Sequence, residues 1–304
     1  MNRFGVVGFG ALNVDKLFKV DRLAHAEEES FVINEEEICG GSAANTIVGL
    51  ARLGVNVGFI GKIAMDREGD LQLADFSKEH VDTNGIIQVK KGHSGNVMGF
   101  VDTKGARALY IQSGINDTIT PEEIKINYIS QTQFLHLSSF VGELSFETQK
   151  KIVETLPDNV KVSFDPGILY MRKGIAQLES IIKKSYVMMP NSIELELLTG
   201  EKDPQKGAAF LLKKGVKIVA VKMGAAGCYV TNGKEDYSVE PFKVKVVDTT
   251  GAGDAFCAGF LYGLLNKKSL RECGKIGNFV GSRSVMKMGA RPGLPYLKDL
   301  KLLG

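Results

Sequence analysis

The sequence predicts an α/β fold in which helices cover both faces of a mostly parallel sheet. Short apolar runs recur along the chain, at residues 4–9, 57–60, 134–137, 160–164, 186–189 and 218–221. Segments with apolar residues at helical spacing lie between most of these runs, at residues 42–53, 147–156, 193–199 and 204–213. Apolar strands that alternate with amphipathic helices are typical of βαβ units, whose parallel strands are buried on both faces.

Two segments interrupt this alternation. Residues 16–38 contain apolar pieces without a helical pattern, and residues 86–112 have the pattern of consecutive short strands, with turns near Lys91-Gly92 and Lys104-Gly105. We therefore predict a single domain spanning residues 1–304 with insertions at these two places. The insertions could pair into a small sheet that covers the main sheet as a lid, or they could be ordinary surface hairpins. Periodicity alone does not decide between the two.

Composition and charge argue against several classes of protein. The 304 residues are 44% hydrophobic and 24% charged, as expected of a globular protein. The net charge of +3 and the lack of a long basic run argue against a nucleic-acid partner, and no apolar run approaches the ~20 residues of a membrane span. The N-terminal residues lack the apolar core of a signal peptide. The four cysteines, Cys39, Cys228, Cys257 and Cys273, form no C-x-x-C pair, so we expect reduced thiols and a cytoplasmic location.

The most informative glycine-rich segment is Gly251-Ala252-Gly253-Asp254, which runs directly into an apolar stretch with helical character. The unpaired amides at the start of a helix carry partial positive charge and attract phosphate. A carboxylate is electrostatically unfavourable beside a phosphate, so Asp254 needs a reason to be there. It is either a helix cap or a base that takes a proton from a hydroxyl attacking that phosphate. The segment alone favours neither.

A second segment, residues 39–45, places Gly40 and Gly41 before another predicted helix. Two glycines allow the backbone to come close to a ligand, and the amide of Asn45 could both donate to and accept from hydroxyl groups. A tight turn with a helix cap is the alternative. The segment at Gly8 and Gly10 starts like a dinucleotide fingerprint, but Asn13 replaces its third glycine, and the chain has no P-loop motif.

Two strand ends carry further polar residues. Asn191 and Glu194 are three residues apart on a predicted helical turn and face the same way, so Glu194 could bind hydrated Mg²⁺ through water. A capping box is the alternative for this pair. Lys222, Gly224 and Gly227 follow another apolar run, at the end of a strand, where open α/β sheets bind ligands. An ordinary turn is the alternative there.

Taken together, these segments resemble the ribokinase-like (PfkB) family of sugar and nucleoside kinases. Residues 40–45, followed by Ala51-Arg52-Leu53-Gly54, are similar to one signature of that family, and residues 248–256 are similar to a second. The two occur in the expected order about 200 residues apart. The resemblance extends from Asn13-x-Asp15 to Pro295 and implies a three-layer α/β/α domain with a small β-sheet lid.

The resemblance also implies roles for individual residues. Asp254 would be the general base, and the loop of Gly251, Ala252 and Gly253 would supply amides for the transferring phosphoryl group. The remaining roles concern ligands: Asn13, Asp15, Gly40, Gly41 and Asn45 for the acceptor; Asn191 and Glu194 for the triphosphate of ATP and its Mg²⁺; Lys222, Gly224, Gly227 and Asn278 for the nucleotide. Asp248 would be near a monovalent cation such as K⁺, although Gly293 stands where the family has a serine.

The implied activity is ATP-dependent phosphorylation of a hydroxyl of a small sugar, ribose- or fructose-like. Ser42 stands where ribokinases have a lysine, and Ser138-Ser139-Phe140 stands where they have a glutamate. Phe140 could stack on a nucleobase, which would favour the alternative of a nucleoside kinase, or it could pack in the core. A silent binding protein and a dinucleotide oxidoreductase are disfavoured by Asp254 and by the incomplete Gly8 motif. The family's lid often pairs between subunits, which implies a homodimer.

Overall fold

The computed structural model describes residues 3–104 and 106–303, without the side chain of Arg107. These residues form thirteen strands: β1 (Phe4–Phe9), β2 (Asn13–Val20), β3 (Val32–Gly40), β4 (Val57–Ala64), β5 (Asp82–Val89), β6 (Gly95–Val101), β7 (Arg107–Gln112), β8 (Thr132–Leu137), β9 (Lys161–Phe164), β10 (Ser185–Met188), β11 (Ile218–Lys222), β12 (Cys228–Thr231) and β13 (Asp236–Val239).

The same residues form ten α-helices and several short 3₁₀ turns. The helices are α1 (Ser42–Arg52), α2 (Arg67–Lys78), α3 (Ile126–Ile129), α4 (Glu143–Glu154), α5 (Gly167–Met171), α6 (Ile175–Lys184), α7 (Ser192–Thr199), α8 (Pro204–Lys213), α9 (Ala252–Leu265) and α10 (Leu270–Ser284). Among the residues described, no helix is both long and apolar enough to cross a bilayer.

The large sheet has nine strands in the order β13-β12-β11-β10-β9-β8-β1-β4-β5. All neighbours from β11 to β5 pair in parallel, and the two pairings at one edge, β11 with β12 and β12 with β13, are antiparallel. Every residue of β4 is buried, because helices cover both faces of the sheet. One apolar cluster includes residues of α1, α9 and α10, and a second includes residues of α4, α6 and α8. The predicted α/β fold is confirmed.

The small sheet has four strands in the order β3-β2-β6-β7. It combines residues of both predicted insertions, since β2 pairs in parallel with β6 across the break between them. The boundary predicted for the second insertion is too early: residues 86–89 belong to β5, which pairs with β4 at the edge of the large sheet. Of the two predicted turns, Gly92 has φ +95°, as a glycine turn requires, whereas Gly105 lies outside the described residues.

Helix α9 is buried on most of its surface, and this burial fixes its N-terminus within the molecule. Its residues Ala255–Leu261 are all buried. Small residues let the neighbouring helices approach closely: a Cβ atom at Gly259 would lie 2.7 Å from the carbonyl oxygen of Ile276 in α10, and one at Gly49 in α1 would lie 2.8 Å from Ala258. The three helices α1, α9 and α10 therefore pack as one unit, so the first turn of α9 has a defined position beside the first turn of α1.

Candidate active site

Asp254 occupies the first turn of α9, whose N-cap is Gly251. Gly251 has φ +73°, a left-handed conformation that favours glycine, and a Cβ atom there would lie 2.5 Å from Ala290. No side chain caps this helix. The carboxylate of Asp254 instead accepts hydrogen bonds from α1, from Ser42 Oγ at 2.6 Å and Asn45 Nδ2 at 2.8 Å. The alternative interpretation of Asp254 as a helix cap is wrong.

Burial raises the pKa of Asp254 to about 7, and the nearby Asp165 carboxylate acts in the same direction. The hydrogen bonds from Ser42 and Asn45 and the charge of Lys222 oppose this shift, because all three favour the ionised form. A carboxylate with a pKa near neutrality is suited to accept a proton from a hydroxyl and release it again.

The five residues predicted to bind an acceptor come together where the small sheet joins the large one. Asn13 and Asp15 lie at the start of β2, and Gly40 pairs with Asn13 at the end of β3. A Cβ atom at Gly40 would lie 2.6 Å from Oδ2 of Asp15. Gly41 has φ +105° and begins the turn into α1, which carries Asn45. A side chain at Gly41 would also lie 2.3 Å from the carbonyl oxygen of Ala11, whereas one at Gly40 would displace the Asp15 carboxylate.

Asp15 is a largely buried carboxylate with a pKa raised to about 6, because burial outweighs the opposing charge of Arg291. Asn13 is fixed in place by Asn116, whose Nδ2 donates to Asn13 Oδ1 at 3.0 Å. Asn116 is fully buried and also bonds both backbone groups of Leu12. Sequence reasoning missed Asn116, because a single asparagine in a short 3₁₀ turn carries no pattern.

A cavity of ≈ 680 Å³ opens beside Asp254 and contains the residues predicted to bind the nucleotide. Its lining includes Ser42, Ala252, Gly253 and Asp254 at one end. It also includes all six residues predicted for the nucleotide: Asn191, Glu194, Lys222, Gly224, Gly227 and Asn278. The five residues predicted for the acceptor do not line this cavity, and Asn45 joins them to Asp254 through the hydrogen bond from its Nδ2.

Lys222 and Asp165 form a buried ion pair at the same end of the cavity, with Nζ 2.8 Å from Oδ1. Burial is the largest single influence and would lower the pKa of Lys222, but Asp165, Cys257 and Glu194 together outweigh it and hold the pKa above its ordinary value. The lysine is therefore charged at neutral pH. A Cβ atom at Gly253 would lie 3.2 Å from its Nζ, so the ammonium group adjoins the first amides of α9. Asp165 was missed as a site residue, although it follows the end of β9.

Asn191 and Glu194 form the capping box that was the alternative for this pair. Asn191 Oδ1 accepts from the amide of Glu194 at 2.9 Å, and Glu194 Oε2 accepts from the amide of Asn191 at 2.8 Å. Both residues nevertheless line the cavity. Burial raises the pKa of Glu194, with Lys222 opposing that shift. A cation beside Glu194 would stabilise its ionised form, so capping and cation binding are compatible here.

Asn278 and Asp248, the last two residues with predicted ligand roles, form hydrogen bonds that fix loops around the site. Asn278 Nδ2 donates to the carbonyls of Val239 and Glu240, both at 3.0 Å, and so fixes the segment after β13 that walls the cavity. Asp248 accepts from the amide of Thr250 at 3.0 Å and from the amide of Gly289 at 2.8 Å, which joins the loop before α9 to the loop after α10. Within the described residues, no three His, Cys, Asp or Glu side chains form a metal cluster.

Phe140 is 1% exposed and packs edge-to-face on Phe9, with ring centroids 5.7 Å apart. It belongs to the core below the sheet. The interpretation that Phe140 stacks on a nucleobase is wrong, because an apolar ring at this depth gains more from packing than from a ligand face.

Comparison with known proteins identifies the family. The model of the pfkB family carbohydrate kinases matches residues 4–297. The chain belongs to this family. An uncharacterized sugar kinase of Archaeoglobus fulgidus is 45% identical over 83% of this chain and 100% of its own. An ATP-dependent ribose-1-phosphate kinase of Halopiger xanaduensis is 33% identical over 94% of this chain and 93% of its own.

Solved structures agree with this assignment. The ribokinase of Thermotoga maritima has a TM-score of 0.87 and 29% identity, covering 99% of each chain. The Arabidopsis thaliana ribokinase, complexed with ribose and ATP, has a TM-score of 0.87 and 25% identity, covering 99% of this chain and 98% of its own. The protein is a sugar kinase of the ribokinase family, a phosphotransferase that uses ATP. The ribokinase-like fold predicted from the sequence is confirmed.

Proposed function

We propose that this sugar kinase transfers the terminal phosphoryl group of ATP to a hydroxyl of a ribose- or fructose-like sugar, with Asp254 as general base. The observation that carries the proposal is the place of Asp254, a buried carboxylate at the start of α9. The nucleotide cavity lies on one side of it, and Asn13, Asp15, Gly40 and Asn45 lie on the other. A base between donor and acceptor is what in-line transfer requires.

The residues of this chain divide the chemistry among them. Asp254 accepts the proton of the attacking hydroxyl, which Asp15, Asn13 and Asn45 orient through their oxygens and amide groups. The amides of Ala252, Gly253 and Asp254 lie at the positive end of α9 and stabilise charge on the transferring group. Lys222 adjoins these amides and adds a full positive charge.

Mg²⁺ bound with ATP neutralises phosphate charge, and Glu194 and Asn191 are the residues that would hold it, Glu194 through water. The cavity lining and the raised pKa of the buried Glu194 carboxylate fit a site that gains a cation. Asp248 with K⁺ stays a prediction, tested by exchanging K⁺ for a large organic cation in the assay. The four free thiols favour a reducing compartment, which supports the cytoplasm as the location.

The acceptor space is the region beside Asn13, Asp15, Gly40, Gly41 and Asn45. The charges around it favour an uncharged sugar. The pKa of Asp15, about 6, leaves it mostly ionised at neutral pH, and it lies against Gly40 on the wall of this space. The nearest cation, Arg291, makes an ion pair with Asp75. An acceptor bearing a carboxylate or phosphate would meet Asp15 and Asp254 without a matching cation from Arg291, whereas neutral hydroxyls would donate to both carboxylates.

The small sheet is proposed to be the lid of the site, because β2 and β3 carry acceptor residues at one end and extend away from the large sheet at the other. Its outer strands expose apolar side chains: Val32 and Ile33 on β3, and Leu109, Tyr110 and Ile111 on β7, are each 51–59% exposed. Exposed apolar edge strands are suited to pairing with another chain, so we include a homodimer through the lid in the proposal.

A panel assay with ATP and Mg²⁺ tests the proposed function against ribose, fructose, nucleosides, ribose 1-phosphate and sugar acids. We expect turnover with a neutral sugar and a loss of several orders of magnitude in kcat for Asp254→Asn, with nearly unchanged nucleotide affinity. Asp158→Asn is the matched control, since Asp158 is exposed and remote from the cavity. Undiminished turnover in Asp254→Asn would rule out the base, and preference for a charged acceptor would rule out the neutral sugar.

A further inference from the structure

We propose that Arg291 is a positioning residue that aligns the acceptor site with the base. It would do so by orienting the Asn45 amide toward Asp254 and by fixing the Gly40 carbonyl beside Asp15. The proposal rests on the proposed function, since it takes Asp254 as the base. Arg291 lies in the loop after α10, was not singled out by the sequence, and is 4% exposed.

Each of the three guanidinium nitrogens of Arg291 donates a hydrogen bond to a different protein group. Nε donates to Asn45 Oδ1 at 2.9 Å, Nη2 donates to the carbonyl of Gly40 at 3.2 Å, and Nη1 donates to the carboxylate of Asp75 in α2. Because the guanidinium is planar and rigid, these three contacts together fix its orientation. One side chain therefore joins the end of β3, α1 and α2 to the C-terminal loop.

The contact with Asn45 determines which way its amide faces. Arg291 is a donor only, so the amide oxygen of Asn45 must point toward it. The amide nitrogen then points the other way, where it donates to Asp254 Oδ2 at 2.8 Å. A flipped Asn45 would place its NH₂ group against the guanidinium and its oxygen against a carboxylate, which is unfavourable at both ends. Arg291 thus acts on Asp254 through Asn45.

Arg291 also acts on the acceptor site by charge. Its positive charge opposes the upward shift in the pKa of Asp15, and the same charge acts on the thiol of Cys39 and on Glu79. The titratable groups around the guanidinium are Asp15 on β2, Cys39 on β3, Asp75 and Glu79 on or beside α2, and, through Asn45, Asp254 on α9. Of these, Asp15 and Asp254 change charge nearest to neutral pH.

Arg52 offers a matched control in the same region. It is a half-buried arginine that binds Glu79 through two nitrogens, at 2.6 and 3.0 Å. It also donates to the carbonyls of Arg291 at 2.7 Å and Leu294 at 3.2 Å, so it tethers the same loop. Its hydrogen bonds do not include Asn45 or Gly40. Replacing Arg52 therefore loosens the loop without removing the orienting contact on Asn45.

The test compares Arg291→Lys with Arg52→Lys in the intact enzyme, with the acceptor that the panel identifies. A lysine keeps the charge but loses the fork, so we expect Arg291→Lys to lower kcat about ten- to hundredfold. We also expect the acid limb of its pH profile to move upward, because Asp254 loses a properly aimed donor. Arg52→Lys should lose comparable thermal stability with kcat within about twofold of wild type. Equal kcat in the two variants would overturn the proposal.

A double-mutant cycle isolates the path through Asn45. If Arg291 acts partly through that amide, Arg291→Lys lowers kcat by a smaller factor in the Asn45→Ala background than in the wild type, whereas independent effects would multiply. Should Arg291→Lys fail to fold, Asp75→Asn replaces it, since it weakens the anchor of the guanidinium and keeps Arg291. A smaller fall in kcat is then expected, and an unchanged kcat would reject the positioning role.

The side-chain amide signal of Asn45 in an NMR spectrum separates this proposal from the proposed function. We expect that signal, assigned by its loss in Asn45→Ala, to shift in Arg291→Lys and to remain in place in Arg52→Lys. A shift combined with full turnover in Asp254→Asn would reject the base and retain the contact. An unshifted signal would reject the positioning role even when Asp254 proves to be the base.

Discussion

The hydroxyl of Ser42 donates to Oδ1 of Asp254 at 2.6 Å, which joins the first turn of α1 to the first turn of α9. The resemblance to the ribokinase-like family implies a lysine at this position, so Ser42 gives the proposed base a neutral donor instead. A hydrogen bond to the ionised carboxylate stabilises it, and Ser42 accordingly opposes the rise in the pKa of Asp254.

Ser42→Ala should raise the pKa of Asp254 further above its ordinary value. The base is active when ionised, so activity is lost as pH falls through that pKa, and a higher pKa moves the loss to higher pH. A hydrogen bond to a charged group contributes about 1.5–3 kcal/mol, which corresponds to a shift of about one to two pH units in the acid limb of kcat/KM. Ser138→Ala is the control, because Ser138 accepts from the neighbouring Ala43 amide without contacting Asp254. An acid limb that stays in place would contradict the role of Ser42.

Gly251→Ala should mainly reduce stability, and Gly253→Ala should mainly reduce catalysis. Alanine at Gly251 meets the left-handed backbone and a contact of 2.5 Å with Ala290, so we expect a loss of stability of at least about 1–2 kcal/mol. Gly253 lies inside α9, where alanine is favoured over glycine, and its new methyl group would lie 3.2 Å from Lys222 Nζ, beside the amides proposed to bind phosphate. Thermal unfolding should therefore change mainly for Gly251→Ala and kcat mainly for Gly253→Ala. The reverse pattern would contradict the assignment of the amides.

Asp165→Asn should destabilise the fold, because it leaves Lys222 charged and unpaired in the interior. The side chains of Lys222 and Asp165 are 10% and 6% exposed. Removing one partner of such a buried ion pair lowers the free energy of unfolding by about 3–5 kcal/mol. The double variant Asp165→Leu with Lys222→Met removes both charges and should lose much less stability in urea unfolding. The double variant should still lose activity, since it lacks the cation beside the amides of α9. A fully active double variant would exclude Lys222 from the chemistry.

Ile33→Asp combined with Leu109→Asp should abolish self-association if the lid pairs between subunits. Both side chains lie on the outer strands of the small sheet and are 56% and 51% exposed. Sedimentation velocity should show a dimer for the wild type and a monomer for the variant. Leu302→Asp is the control, since it alters an equally exposed apolar side chain near the C-terminus. A wild-type monomer would remove the dimer from the proposal.

The parts of the site that the sequence predicted well are local in the chain. The sequence predicts a loop followed by a helix at residues 251–254, because the turn glycine and the apolar run are adjacent. The structure has helix α9 at this position. Helix α4 begins at Glu143 rather than at 147, because its first turn buries Ser145, whose hydroxyl donates to the carbonyl of Asn116. A buried polar residue breaks the apolar pattern on which the prediction depended.

The parts that could not be predicted depend on distant pairs. Arg291 and Asn45 are 246 residues apart, and no local pattern marks an arginine whose partners are set by the packing of a loop on α1 and α2. The alternating pattern of residues 86–89 predicts a strand but not the sheet to which it belongs. Edge strands of the large and the small sheet alternate in the same way. Sequence periodicity indicates whether a segment is a helix or a strand, whereas the topology of the fold determines which other elements it contacts.

The two sheets divide the ligands between them. The residues proposed to bind the nucleotide lie at the ends of large-sheet strands and on α7 and α10, while Asn13, Asp15 and Gly40 belong to β2 and β3 of the small sheet. The proposed function thus assigns donor chemistry to the large sheet and its helices, and much of the acceptor choice to the small sheet. Exchange of the small sheet between relatives could retarget the enzyme to a new sugar without disturbing its ATP machinery, which makes this fold well suited to diversification.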